Sequence, residues 1–290
     1  MSTREIQFLN FIASNCIPGF GGSSTLSYFF LTRAGSSSIR DCKGTSQRIR
    51  ENGRMGGFIV LDGMTCTFLP GKISKGESVP PIYNEVYRYW RETWGKIFKD
   101  AGSPESLNAE NFLRQDAIIV LHDGSSVAGI VGTTFFNLGA HATFDHAYLR
   151  PFPEPLVSEL RARGCGFVST AEYLCVHPNF RKGVVGVSLS EVLVGLNLKL
   201  FSELGGTATL GTSVRPARTH EGAMRYGYCE VGKLEKYGLD CLLLCNTPEQ
   251  LCINEDKSVA ALVERLWSQR IDLTGLTGAR IIPFPEKKAA

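Results

Sequence analysis

The spacing of apolar positions divides the chain between residues 56 and 271 into alternating strands and helices. Short apolar runs bounded by turn residues predict strands, and apolar repeats at three, four and seven positions predict helices. The predicted strands lie in 56–71, in a hairpin over 116–136, and over 165–178, 206–214 and, as a pair, 228–246. The predicted helices are 78–102, 157–163, 187–204, 215–227 and 258–271. This order of hairpins and strand–helix–strand connections predicts a mixed sheet with helices packed against it.

The helix predicted over 187–204 carries a single apolar stripe. Its members are Leu189, Val192, Leu193, Leu196, Leu200 and Leu204. A stripe of this kind packs against a sheet. The helix should therefore begin at the sheet edge where the strand over 165–178 ends.

The turn between that strand and that helix carries Arg181, Lys182, Gly183 and Gly186. The first amides of a helix lack partners within it and lie at the positive end of its dipole, so they attract anions. Glycines allow the backbone to approach such a ligand closely. The pattern indicates a phosphate site, and the alternative is a tight turn with an exposed Arg-Lys pair. Neither the Walker loop nor the dinucleotide glycine motif is present.

The stretch "LCVHPNFRKGVVGVSLSEVL", residues 174–193, resembles the central motif of the GNAT superfamily, the Gcn5-related N-acyltransferases. In that motif a strand reading V-x-P precedes Arg/Gln-x-x-Gly-x-Gly/Ala and a helix, and the loop cradles the pyrophosphate of coenzyme A. The matching residues are Val176, Pro178, Arg181 and Gly186. Val184 stands at the middle glycine, with Gly183 one place earlier.

The resemblance continues to about residue 246, beginning near residue 80. The family's last helix ends in Gly-Phe before a strand, and here Gly227 and Tyr228 precede the strand pair. Met224 replaces the tyrosine that often protonates the departing thiolate. These departures resemble the N-acyl amino acid synthases and acyl-homoserine lactone synthases, which often take acyl chains from an acyl carrier protein.

The resemblance implies an α/β (α+β) fold with a GNAT-like mixed, mostly antiparallel central sheet and helices on both faces. It implies an N-acyltransferase that moves an acyl group from acyl-CoA to a small amine by direct attack. One alternative is a synthase whose donor is acyl-phosphopantetheine on a carrier protein, docked on basic residues (Arg181, Lys182, Arg215 and Arg218). The other is a catalytically dead GNAT fold that serves as a binding module.

The resemblance also implies where the donor binds. Its phosphates would lie on Arg181, Lys182, Gly183, Val185 and Gly186, and its thioester carbonyl would meet a backbone N–H near Leu174 and Val176. That role requires the strand carrying Leu174 to part from the strand over 206–214.

Three side chains are candidates for the proton transfers of acyl transfer. Glu172 lies four residues before Val176 on the strand that enters the turn, where the resemblance implies an acid that acts as general base, directly or through water. The alternative is a structural carboxylate paired with an arginine. Tyr226 and Tyr228 are candidate proton donors to the thiolate, and packing is the alternative for each.

The composition of the chain argues against some classes of binding partner. The chain of 290 residues is 43% hydrophobic and 20% charged with a net charge of +3, which argues against nucleic acid or an anionic membrane as a partner. Nine cysteines without a C-x-x-C pair favour reduced thiols in the cytoplasm. We expect no metal and no membrane span.

Three segments are predicted. Residues 1–55 form a loosely ordered basic lead, 56–246 a GNAT-like acyltransferase domain, and 247–290 a helical tail.

Overall fold

The computed structural model describes residues 61–163 and 167–277, so the predicted lead over 1–55 lies outside the described residues. The described residues build a nine-stranded sheet in the order β7-β8-β6-β5-β3-β2-β1-β9, with β4 paired to β5 off this path. The strands are β1 (Thr65–Leu69), β2 (Ala117–His122), β3 (Val127–Thr133), β4 (Phe135–Asn137), β5 (Phe167–Val176), β6 (Ala208–Val214), β7 (Cys229–Lys236), β8 (Leu239–Asn246) and β9 (Ile271–Asp272).

The sheet is mostly antiparallel, as predicted. Its pairings are antiparallel except those of β5 with β6 and of β1 with β9. A parallel pair needs a long crossover connection, and the helices between β5 and β6 provide it. The mixed α/β class is therefore confirmed.

Helices cover both faces of the sheet. They are α1 (Tyr83–Asp100), α2 (Glu110–Leu113), α3 (Glu154–Ala162), α4 (Lys182–Val185), α5 (Leu189–Glu203), α6 (Thr219–Met224) and α7 (Lys257–Ser268). Side chains alternate across a strand, so Ile119 packs in the core with α5 and α7, while Ile118 packs in the core with α1. Helix α3 covers the β6–β8 end of the latter face.

Helix α5 is buried more completely than its stripe predicts. The first five stripe residues are at most 1% exposed, but Val194, Asn197 and Leu198 on other sides are also buried. The reason is α7, which packs along α5 and contributes Val259, Leu262 and other apolar residues to the same core. An apolar stripe on one helix does not show that a second helix packs against its other side.

The segment after residue 246 joins the sheet as well as the helical layer. Strand β9 pairs in parallel with β1, with Thr67 opposite Ile271. Asp272 anchors the turn that follows, since its carboxylate accepts hydrogen bonds from the backbone and hydroxyl groups of Thr274 and Thr277. The strand is only two residues long, and the hydropathy pattern gave no sign of it.

In the structure, two of the predicted helices begin only after a separate short helical turn. The segment predicted as one helix over 215–227 is a 3-10 turn (Arg215–Ala217), then Arg218 at a φ of 55°, then α6. The helix predicted from residue 187 begins at Leu189 and is preceded by the separate α4, which ends at Gly186 with a φ of 81°. Left-handed residues end a helical turn, which explains both breaks.

Gly227 tests the join between α6 and the C-terminal segment. It has a φ of 91°, and a Cβ there would lie 1.8 Å from the carbonyl oxygen of Gln250. Gly205 is a matched control with a φ of 70° and open space around it. We expect Gly205→Ala to lower the free energy of unfolding in urea by about 1 kcal/mol, and Gly227→Ala by more than about 3 kcal/mol because backbone must also move. Equal losses would contradict this packing.

Candidate active site

The site begins where two parallel strands part. Strands β5 and β6 pair from Val168 opposite Ala208 to Ala171 opposite Gly211, and no further. Both continue, β5 to Val176 and β6 to Val214. Beyond Ala171 the two strands therefore enclose a gap, which is the separation that the predicted donor site requires.

A bulge in β5 lies at the start of the gap. On β3, Ile130 and Gly132 are two positions apart, whereas their partners Cys175 and Glu172 are three apart. The extra residue is accommodated at Tyr173, which has a φ of 53°. This is uncommon for a residue other than glycine, and the indole of Trp94 donates to the Tyr173 carbonyl over 3.0 Å. Bulges of this kind bend a strand and increase its twist.

The bulge is followed by two amides that face the gap. The His177 N–H donates to the Ala128 carbonyl on the β3 side over 2.9 Å. Amide direction alternates along an antiparallel strand, so the N–H groups of Val176 and Leu174 point to the opposite edge, where β6 has parted. Both residues were predicted to contact the donor, and their backbone donors lie on the required side.

Two connected clefts open from the gap. One, of about 470 Å³, is lined by Glu172, Tyr148, Lys236 and aromatic rings. The other, of about 580 Å³, is lined by Leu174, Gly211, Tyr228 and residues of α6. They share the lining residues Trp94, Ala171, Tyr173, Thr212 and Val214. A substrate pair could thus meet at Tyr173 from two sides.

Glu172 lies in the first cleft and is paired with an arginine, as its alternative interpretation proposed. The side chain is 6% exposed. Arg114 Nη1 donates to Oε1 over 2.9 Å, and Nη2 makes a second short bond to Oε2. The Thr170 hydroxyl donates to Oε1 over 2.8 Å. Burial alone would lower the pKa of Arg114, but the hydrogen bond to Glu172, the charge of Glu172 and the neighbouring Tyr173 together raise it.

The two candidate tyrosines are not brought together. Tyr228 lines the second cleft, with its hydroxyl 3.2 Å from Thr209 Oγ1. Burial raises the pKa of Tyr228, which keeps its proton in place. Tyr226 packs its hydroxyl against Gly195 and lines a separate cavity beside α5 and α7. Only Tyr228 can meet a ligand held in the gap.

The predicted phosphate turn is a closed helical turn, α4. Its amides at Val184 and Val185 donate to the Arg181 carbonyl, and that of Gly186 donates to Lys182. The first amides of a helix have no partner within it, which leaves those of Lys182 and Gly183. Of the five cradle residues predicted, Arg181, Val185 and Gly186 have their amides already bonded, that of Arg181 to the Pro178 carbonyl over 3.3 Å.

Acidic groups lie close to the same turn. Lys182 Nζ is 3.7 Å from the Asp256 carboxylate. Glu191, buried in the first turn of α5, accepts from Arg225 over 3.2 Å and from Asn254 over 2.8 Å. The sequence pattern gave no sign of Glu191, because its partners are 34 and 63 residues away. Carboxylates thus occupy part of the environment predicted for phosphates.

Most of the positive charges in the predicted basic docking patch are paired with acidic side chains. Arg215 pairs with Asp240 at 3.3 Å, Arg218 with Glu221 at 2.7 Å, and Lys182 with Asp256. In the part of the chain that the structure describes, Arg181 is the member without an acid partner within 4.0 Å. Carrier-protein docking stays a prediction.

The described residues contain neither a metal-binding cluster nor a membrane-spanning helix. Among residues 61–163 and 167–277, His, Cys, Asp and Glu do not gather in groups of three able to hold a metal ion. Helices in the same ranges lack the length and apolar character needed to cross a membrane.

The sequence interpretation missed Tyr148 and Lys236, which line the first cleft with Glu172, and Arg114, which pairs with Glu172. Arg114 stands 58 positions before Glu172, between α2 and β2, and Lys236 ends β7. Neither residue belongs to a motif. Their common signal is burial of charge, which only the folded chain reveals.

No family model matches the chain, and no curated protein matches it either. Several solved structures are similar to it. FeeM, an N-acyl amino acid synthase from uncultured soil microbes, is 12% identical with a TM-score of 0.45, over 64% of this chain and 93% of FeeM. BjaI, a CoA-dependent acyl-homoserine lactone synthase, is 9% identical with a TM-score of 0.46, over 74% of this chain and 98% of BjaI.

An acetyltransferase of the GNAT family from Streptococcus pneumoniae is also similar. It is 10% identical with a TM-score of 0.37, over 63% of this chain and 98% of its own. The superfamily that the sequence motifs resemble is therefore represented among the structural neighbours.

The Arg114–Glu172 pair should behave as a coupled unit. Removing one partner of a buried ion pair leaves the other uncompensated, so Arg114→Met and Glu172→Gln should each lower the free energy of unfolding by about 3 kcal/mol. The double variant should lose clearly less than the sum, because no unpaired partner remains. Urea unfolding of all four proteins measures this coupling, and strictly additive losses would refute it.

Proposed function

We propose that the chain is an N-acyltransferase that moves an acyl group from a thioester to an amine by direct attack. The observation that supports this most is the gap between β5 and β6 beyond Ala171 and Gly211. An extended chain with amide groups, such as a pantetheine arm, can pair with the strand edges there as an added strand does. The donor is a co-substrate, and no metal is required.

The proposed reaction takes place beside Tyr173. The thioester carbonyl accepts from the Leu174 N–H, which stabilises the oxyanion that forms when the amine attacks. The tetrahedral intermediate then collapses, the carbon–sulfur bond breaks, and the thiolate leaves. The nitrogen loses one proton to reach the neutral amide, and the thiolate gains one to become the free thiol. Tyr228 keeps its own proton and donates a hydrogen bond to the thiolate as it leaves.

Glu172 is proposed to receive or orient the amine proton. An ionised carboxylate has about four lone-pair positions, and three are used by Arg114 and Thr170. The remaining position can accept an N–H from the attacking amine. The ion pair with Arg114 holds this oxygen in a fixed place, which suits a group that positions a nucleophile.

A second candidate keeps the reaction and changes the donor from acyl-CoA to an acyl carrier protein. The specific support is the acid at the turn: Asp256 beside Lys182, and Glu191 in the first turn of α5. Both carboxylates disfavour the phosphates of the coenzyme A nucleotide by like-charge repulsion. A carrier-bound arm has no such nucleotide. The further alternative, an inactive binding module, predicts donor binding without turnover.

Gly211 offers a direct test of the gap. It is buried on β6, lines the second cleft, and a Cβ there would have no atom closer than 3.8 Å. Gly211→Ala should therefore retain thiol release from an acyl thioester in the presence of amines. Gly211→Phe fills the cleft and should reduce kcat/KM at least about tenfold. Circular dichroism and urea unfolding check the fold of both. Equal activities in the two variants would contradict the proposed donor path.

Asp256→Asn tests the donor. Asn remains a good N-cap, so α7, whose amides at Ser258 and Val259 bond to Asp256, should keep its start. If the nucleotide binds at the turn, loss of this charge should lower the KM for lauroyl-CoA about two- to tenfold and leave that for S-lauroyl pantetheine unchanged. Equal KM values for both donors, unaffected by the substitution, would favour the carrier protein.

A further inference from the structure

Lys236 is a cation in the wall of the first cleft, and the part of the chain that the structure describes offers it no acid partner. It is the last residue of β7, opposite Leu239 on β8. The two residues between them, Tyr237 and Gly238, have φ values of 58° and 72°, as a tight hairpin turn requires. A Cβ on Gly238 would lie 2.7 Å from the Ala101 carbonyl, so the hairpin tip rests against the end of α1. The backbone of Lys236 is thereby fixed.

Aromatic rings surround the ammonium group. Its Nζ lies 5.1 Å from the ring centre of Tyr237 and 5.6 Å from that of Tyr148. Burial lowers the pKa of Lys236, because charge is costly away from water. In residues 61–163 and 167–277, no carboxylate oxygen lies within 4.0 Å of this nitrogen. The faces of aromatic rings attract a cation, but they only partly replace the water that the ammonium group loses on burial.

The nearby carboxylate is already engaged. Glu172 lines the same cleft, but its two oxygens bond to Arg114. Arg114 also lies over Tyr148, with Cζ 5.8 Å from the ring centre. The trio of Arg114, Glu172 and Lys236 therefore carries two positive charges and one negative charge when ionised. One further anion would balance the cleft.

We propose that Lys236 binds an anionic group of the amine acceptor, so that the acceptor is an amine that also carries a carboxylate. This inference rests on the proposed function. The carboxylate lies on Lys236, the apolar body lies among Trp94, Phe98 and Tyr237, and the amine reaches Glu172 and the gap. The arrangement makes Lys236 a specificity-determining residue. It also explains why a lysine without an acid partner is kept where burial disfavours it.

The experiment compares three matched amines with one donor. Phenylalanine, phenylalanine amide and phenethylamine share the ring and the amine and differ in the carboxylate. Thiol release from S-lauroyl pantetheine is followed with the wild type, Lys236→Met, Lys236→Arg and Lys233→Met. Lys233 lies on the same strand, is exposed and pairs with Glu230, so it controls for loss of a lysine charge.

The wild type and Lys233→Met should favour phenylalanine over its amide in kcat/KM by at least about tenfold, since a site built for a charged group rejects the analogue without it. In Lys236→Met the ratio should fall to about one, mainly through the KM of phenylalanine, and Lys236→Arg should restore part of it. Urea unfolding should show Lys236→Met at least as stable as the wild type, because a half-buried charge without an acid partner in the described residues is removed.

The outcomes separate the two proposals. Turnover with all three amines and the same ratio in wild type and Lys236→Met would overturn the role of Lys236 and leave the transferase standing. If no turnover is seen with any amine, thermal unfolding is measured in the presence of N-lauroyl-phenylalanine and of its amide. This measurement tests the anion site separately from the enzyme activity. Stabilisation by the acid alone, lost in Lys236→Met but kept in Lys233→Met, supports the anion site and rejects the enzyme. Equal stabilisation, or none, rejects the anion site as well.

Discussion

The parting of β5 from β6 is the constraint on which the proposed site depends. A sheet normally satisfies the amides of both neighbouring strands, and leaving them unbonded costs free energy. Here β3 and β8 hold the outer edges of the two strands, so the gap can exist without loss of the sheet. The bulge at Tyr173 turns β5 at the point of parting, and Trp94 of α1 fixes that turn through its indole. A rigid frame thus leaves these amides facing the gap, where the donor is proposed to bind.

The charges near the gap form two groups with different balances. At the turn before α5, Lys182, Arg225, Glu191 and Asp256 compensate one another. In the first cleft, Arg114 and Glu172 compensate each other, and Lys236 remains. The chain therefore distinguishes a turn whose charges are balanced among themselves from a cleft that has a cation in excess. This difference in charge balance bears both on which donor is proposed to bind at the turn and on which acceptor is proposed to bind in the cleft.

Local pattern was sufficient for most of the fold. Apolar spacing located α1, the β2–β3 hairpin, β5, α5 and the β7–β8 pair to within a few residues, because each buries one continuous face. The pattern could not foresee α4, since its four residues have no periodicity, or β9, whose two residues pair with β1 about 200 positions earlier. The bulge was equally hidden, because Tyr173 adopts a positive φ at a position where no glycine indicates one.

The site was predicted in part for the same reason. Leu174 and Val176 lie at the gap because they follow Ala171 on β5, and Tyr228 lines the second cleft just before β7. Glu172 was identified, but its environment depends on Arg114, which reaches it from a loop 58 positions away. Tyr226, two residues from Tyr228, faces α5 instead. Buried charge is balanced by whatever the tertiary fold brings near, so the role of each ionisable residue is decided by its distant partners. Lys236, which lines the first cleft and has no acid partner among the described residues, is for that reason the most informative about the ligand proposed for that cleft.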